Sequence, residues 1–177
     1  MTKSLLELVS TTVVKATTKS FIAKEKFVRD VSTKAKVKIS GLGGNFTTWF
    51  LDGNSKVETP ITETSIHMYR LKKASVDSLI IEELGGETKA ETTLTVIYSM
   101  MKKQPRGKKG LLLTDGWANI FYVRDQNGVV RAVSVDWNGD GWHVFGCRTD
   151  YTVAWGGGSK NNPRNFVLTT FTKTTAS

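Results

Sequence analysis

The sequence predicts an α+β fold: an antiparallel β-sheet ending in a three- or four-strand meander at about residues 110–148, packed with two central helices at about 75–84 and 88–103 and preceded by an N-terminal helix. Three observations predict it. After Gly110 the apolar runs GLLLT, WANIFYVR, VVRAVSV and WHVFGCR are separated by TDG, DQNG and NGDG, all good turn formers. Between residues 75 and 103 the apolar positions recur at helical spacing, bounded by capping residues. In AKVKIS, Ala35, Val37 and Ile39 alternate with Lys36 and Lys38, the period of a half-buried strand.

Taken in chain order, Leu5, Leu6, Val9 and Val13 stand at helical spacing and predict a short amphipathic N-terminal helix, with a second helical stretch at Phe21 to Val31. The strand AKVKIS is followed by the loop GLGGN (residues 41–45) and by FTTWFL, a second strand. That loop lacks the Gly-Lys-Ser/Thr ending of a P-loop and the spacing of a dinucleotide fingerprint, so its glycines are turn residues. SIHMYRL (residues 65–71) predicts a strand. ASVDSLIIEELGG follows as a helix, with Ser75 as its N-cap and Gly85 just past its end. For the next helix, Thr88 and Glu91 form a T-x-x-E capping box, Leu94, Ile97 and Met101 supply the apolar face, and Gln104-Pro105 stops the run.

With 177 residues, 39% of them hydrophobic, the chain holds one domain with a proper core, which excludes disorder over its whole length. The expected organisation is a basic helical segment at 1–34, one α+β domain at 35–150 and a Gly/Thr-rich tail at 151–177. A single cysteine, Cys147, makes no internal disulfide, and two histidines are too few for a structural zinc cluster. No metal or other cofactor is expected. No apolar run is long enough to span a bilayer, and the start MTKSLLELVSTTVV, broken by Glu7, is a poor signal peptide. A cytoplasmic location is the simple expectation, with an organelle-targeting peptide as the minor alternative.

The net charge of +9 is unevenly placed. Residues 1–40 carry +6, residues 41–100 carry −3, MKKQPRGKKG (101–110) carries +5, residues 111–150 carry −2 and the tail +3. Basic segments of this kind attract polyanions, because neutralised phosphates release their counterions. Solubility alone is the competing explanation.

IIEELGGETKAETTL, DGWANIFYVRDQNGVVRAV and DGWHV together resemble a group of uncharacterised bacterial proteins, over roughly residues 45–147. The resemblance implies a bacterial, cytoplasmic origin and brings no activity, ligand or catalytic residue with it.

Within VDWNGDGWHVF, Asp136, Asn138, Asp140 and Gly141 match the first half of an EF-hand calcium loop, but His143 and Cys147 fall where an apolar residue and a bidentate Glu are required. The flanks are strand-like. NGDG is better read as a hairpin turn that sets Trp137 opposite Trp142, Val135 opposite Val144 and Asp136 opposite His143. Alternation then places Val133, Val135, Trp137, Trp142 and Val144 on one face with Ile120, and Phe121, Ala132, Phe145 and Cys147 on the other. His143 and Cys147 lie about 13 Å apart along such a strand, too far for a nucleophile pair. A His143/Asp136 pair is geometrically allowed, yet no motif supplies a nucleophile.

The expected function is that of a small basic non-enzymatic binding protein with nucleic acid as the leading partner, contacted through Lys102, Lys103, Arg106, Lys108 and Lys109. Five tryptophans add stacking surface, although no RNP run is present. Two alternatives are a protein-interaction or homodimerising module using the face of Trp137 and Trp142, and a small pocketed enzyme built on His143 and Asp136.

Overall fold

The computed structural model describes residues 3–171. Its elements are β1 (Leu6–Val14), β2 (Phe21–Ile22), α1 (Ala23–Lys26), β3 (Ile39–Leu42), α2 (Gly44–Phe46) running into a π-helical turn (Thr47–Leu51), β4 (Val57–Glu58), β5 (Thr64–Leu71), α3 (Asp77–Glu83), α4 (Glu87–Ala90), α5 (Leu94–Lys103), β6 (Asn119–Arg124), β7 (Val130–Trp137), β8 (Trp142–Arg148) and β9 (Phe166–Phe171). The fold is α+β, and a seven-stranded sheet in the order β1-β5-β9-β6-β7-β8-β3 organises it. β6, β7 and β8 pair in succession and antiparallel, but β3 runs parallel to β8 and β9 parallel to β6. The sheet is therefore mixed, not antiparallel throughout.

Several local expectations give way to tertiary pairing. The N-terminal helix is instead the edge strand β1, antiparallel to β5. Its segment holds Val9, Thr11, Thr12, Val13 and Val14, β-branched residues that suit a pleated surface. A bulge between Leu8 and Ser10 breaks the period of two, so the apolar positions mimic a helical spacing. The second predicted helix, Phe21 to Val31, shrinks to the four residues of α1. FTTWFL is helical: Phe46 and Phe50, four apart, both point into the core with ring centroids 5.1 Å from each other.

The helix expected over 88–103 is two helices. After α4, Glu91 is extended and bridges to Tyr122, and Arg124 Nε reaches its carboxylate at 2.8 Å. Thr93 is the true cap of α5, accepting from Val96 N at 3.2 Å. Ser75 does not cap α3, whose N-cap is Val76 with no side-chain bond. GLLLT forms no strand, and the region expected as a tail contributes β9, inserted between β5 and β6. The sheet thus takes β1 and β9 from outside residues 35–150.

Both faces of the sheet are covered. On one, Phe121, Val123, Val133, Val135, Trp142 and Val144 pack under α5 and the Phe27, Phe46 and Phe50 cluster. On the other, Ile120, Tyr122, Val130, Ala132 and Val167 pack under Ile80 and Ile81 of α3 and Ala90 of α4. The pairings Ile120↔Ser134 and Phe121↔Val133 exchange the two residues relative to the faces expected from the sequence. Among the described residues no helix is long and apolar enough to cross a membrane.

Candidate nucleic-acid interface

Two basic segments far apart in the sequence lie side by side. In the first, Ala35, Val37 and Ile39 are buried, so the chain is pinned down and Lys34 and Lys36 project outward. The second is the loop after α5. Arg106 Nη2 donates to Thr33 O at 2.8 Å and Ala35 O at 3.2 Å, and Lys38 N donates to Pro105 O at 2.9 Å. Lys34, Lys36, Lys108 and Lys109 are exposed around this seam. Neither segment carries an acid between residues 31 and 40 or between 101 and 112.

The loop is anchored from inside by a buried side chain. Gln104 is buried; its Nε2 donates to Lys108 O at 2.8 Å and Leu112 O at 3.1 Å, and its Oε1 accepts from Leu112 N at 2.8 Å. Gly107 has φ +67°, and a Cβ there would stand 2.1 Å from the Trp137 ring. Trp137 therefore lies against the loop at Gly107, half-buried.

The five basic residues expected at the site are not all together. Lys108, Lys109 and Arg106 share the seam. Lys103 Nζ turns away to Val13 O on β1, at 3.0 Å. Lys102 lines a separate depression with Lys19, Lys26 and Tyr98. Both lysines sit in the last turn of α5, where cations complement the helix dipole. Lys34 and Lys36 were missed, although the charge of residues 1–40 signalled them.

Trp137 and Trp142 do face each other, edge to face at 5.5 Å, but only Trp137 reaches the surface. Trp142 is fully buried, and its Nε1 donates to Gln104 O at 2.9 Å. Trp49 lies under Arg131, 3.9 Å from ring centroid to guanidinium, and Trp155 bonds Asp77. Trp117 is exposed, at the sheet end from which the Trp137 loop also projects.

The NGDG stretch is a turn whose own side chain closes it: Asn138 Oδ1 accepts from Asp140 N, Gly141 N and Ser40 Oγ at 3.1–3.2 Å. Asp136 pairs in register with His143. Burial raises the Asp136 carboxyl above the ordinary range, and the His143 charge offsets this in part. His143 lines a depression of about 360 Å³ with Arg29, Ser40 and Phe145. Its ring lies on Gly41, where a Cβ would come within 1.9 Å of Nε2. Burial, and then the Asp77 charge, push the Cys147 thiol up, which suppresses the thiolate.

Asp77 is the buried carboxylate on the other face. Its Oδ1 accepts from Tyr122 OH at 2.7 Å and Trp155 Nε1 at 2.8 Å, and burial raises its pKa against these two bonds. A carboxyl whose folded value lies above its unfolded value gives stability that is complete below the unfolded value and lost as pH rises through the folded one. Wild type is therefore expected to gain stability over Asp77→Asn on going from about pH 8 to about pH 4. Urea unfolding of both proteins at the two pH values checks this; a constant difference refutes it.

Comparison with protein-family profiles, curated proteins and solved structures finds no match to this chain.

Proposed function

We propose that this protein is a small basic non-enzymatic binding protein whose partner is nucleic acid. One observation carries the reading: Arg106 ties the loop of Lys108 and Lys109 to the segment of Lys34 and Lys36, joining charges about seventy residues apart in sequence into one basic surface beside Trp137. Phosphates on such a surface release counterions, and a half-buried indole at its edge offers a stacking platform for an unpaired base.

The test is a fluorescence-anisotropy titration of labelled single-stranded RNA and duplex DNA, at low and near-physiological salt. Saturable binding that persists at the higher salt supports the reading; its absence for both nucleic acids overturns it. The variant Lys34→Ala/Lys36→Ala/Lys108→Ala/Lys109→Ala removes four exposed charges and spares Arg106, which holds the loop. It is expected to weaken binding at least about tenfold and to reduce the slope of log K against log salt by about three. An unchanged slope would place the contacts elsewhere.

A further inference from the structure

A second basic site lies two strands away, at the same end of the sheet. β5 ends at Leu71 where its antiparallel neighbour β9 begins, and the segments beyond these two strand ends frame an open depression of about 650 Å³. Arg70, Lys72, Ser159, Lys160, Asn162 and Arg164 line it, together with Gly157 and Gly158, and no carboxylate among the described residues does.

Its floor is built rather than slack. Arg70 is only 8% exposed; Nη1 donates to Gly158 O at 2.5 Å, Nη2 donates to Glu7, and the buried Nε has no partner among the described residues. Gly158 N donates to Leu71 O at 2.9 Å. A Cβ on Gly157 would fall 2.2 Å from Lys73 Cα, and one on Gly158 2.5 Å from Arg164 N, so this loop is seated where only glycine fits. Asn162 N donates to Ser159 O at 3.2 Å and to Ser159 Oγ at 3.1 Å, closing the turn that presents Lys160. Arg164 is stacked over Trp117, 5.3 Å from its ring centroid.

We propose that this depression binds a phosphate group. Glu7 neutralises Arg70, which leaves Lys72, Lys160 and Arg164 as cations without an ion pair among the described residues, with the Ser159 hydroxyl and the Asn162 side-chain amide as neutral donors. A dianion answers that charge better than a monocarboxylate does, and its oxygens accept from several donors at once. The space exceeds that of a bare phosphate and leaves room for the molecule that carries it. The group belongs either to a small phosphorylated molecule or to a nucleic-acid chain that continues from the lysine seam. The site itself stands independently of the nucleic-acid reading.

The experiment is a two-dimensional amide NMR titration of the full chain with inorganic phosphate, against chloride at equal ionic strength. Saturable shifts are expected at residues 157–164, weakened at least about tenfold in Lys160→Ala/Arg164→Ala and unchanged in Lys34→Ala/Lys36→Ala. No saturation by about 20 mM phosphate, equal shifts with chloride, or equal affinity in Lys160→Ala/Arg164→Ala would overturn the site. The unshifted amides of β7 and β8 report that the double variant is folded. A mononucleotide 5′-phosphate and a 5′-phosphorylated oligonucleotide then identify the source: tighter binding of the mononucleotide assigns a small ligand, and oligonucleotide shifts that extend to residues 34–38 and 106–109 assign a polynucleotide. If the oligonucleotide fails to bind while phosphate saturates, the nucleic-acid reading falls and this site stands.

Discussion

Gln104→Ala is expected to destabilise the protein by about 3 kcal/mol and also to weaken nucleic-acid binding, although it removes no charge. Gln104 is 4% exposed, and its amide satisfies both backbone groups of Leu112, itself 1% exposed. Truncation leaves the Leu112 N–H and C=O buried and unpaired, each at a cost of about 1–3 kcal/mol, together with the space the side chain filled. The same amide holds Lys108 O, so the loop that carries Arg106, Lys108 and Lys109 loses its inner anchor. Gln104→Glu is expected to be no better, since a carboxylate accepts from Leu112 N but cannot donate to two carbonyls. Urea unfolding measures the first effect and the anisotropy titration the second. A full-affinity Gln104→Ala protein would mean that the lysines act as independent point charges and that the ordered seam is irrelevant to binding.

How much of this was legible in the sequence depends on the range over which each feature is decided. The hairpin around NGDG is local, and alternation alone placed Trp137 opposite Trp142 and Asp136 opposite His143. The outward projection of Lys36 was likewise readable from Ala35, Val37 and Ile39. Features fixed by partners elsewhere were not. β1 is a strand because β5 lies beside it, and its bulge gave the apolar residues a misleading period. Phe46 and Phe50 carried the helical spacing of four, hidden in a segment of β-forming residues. Ile120 and Phe121 exchanged faces because the register of β6 on β7 is set through a loop whose length does not specify it. The candidate site shows the same division. Its charges were visible as two basic runs, but the contact that joins them is one guanidinium on two carbonyls across more than seventy residues. Neither the buried Arg70 nor its glycine loop had any local signature, since each becomes a site only when β9 is set beside β5.

The second large effect is expected at Glu58, whose carboxylate terminates α5 from outside the helix. Oε2 accepts from Leu94 N at 2.9 Å, and Oε1 accepts from Thr95 N at 2.7 Å and Thr95 Oγ1 at 2.6 Å. The site is buried, with Glu58 8% exposed, and Lys56 Nζ stands 3.8 Å away as its counter-charge. Burial lowers the Lys56 pKa, and the Glu58 charge partly restores it. Glu58→Ala orphans two first-turn amides and a hydroxyl and removes the counter-charge of Lys56, which keeps only its bond to Arg124 O among the described residues, a loss of about 3–5 kcal/mol. Glu58→Gln keeps one acceptor but turns an N–H₂ toward a backbone donor, and is expected to cost about 2 kcal/mol. Because the Thr95 hydroxyl bonds, among the described residues, only to that carboxylate, the cycle with Thr95→Ala is expected to be strongly non-additive. Urea unfolding of the four proteins measures this, and additive losses would show that Glu58 acts through packing alone. The damage lies about 15 Å along α5 from the Gln104 end. Glu58→Ala should therefore lower stability at least as much as Gln104→Ala while leaving the salt dependence of binding unchanged. That contrast separates loss of the loop's anchor from a general loss of stability as the cause of weakened binding.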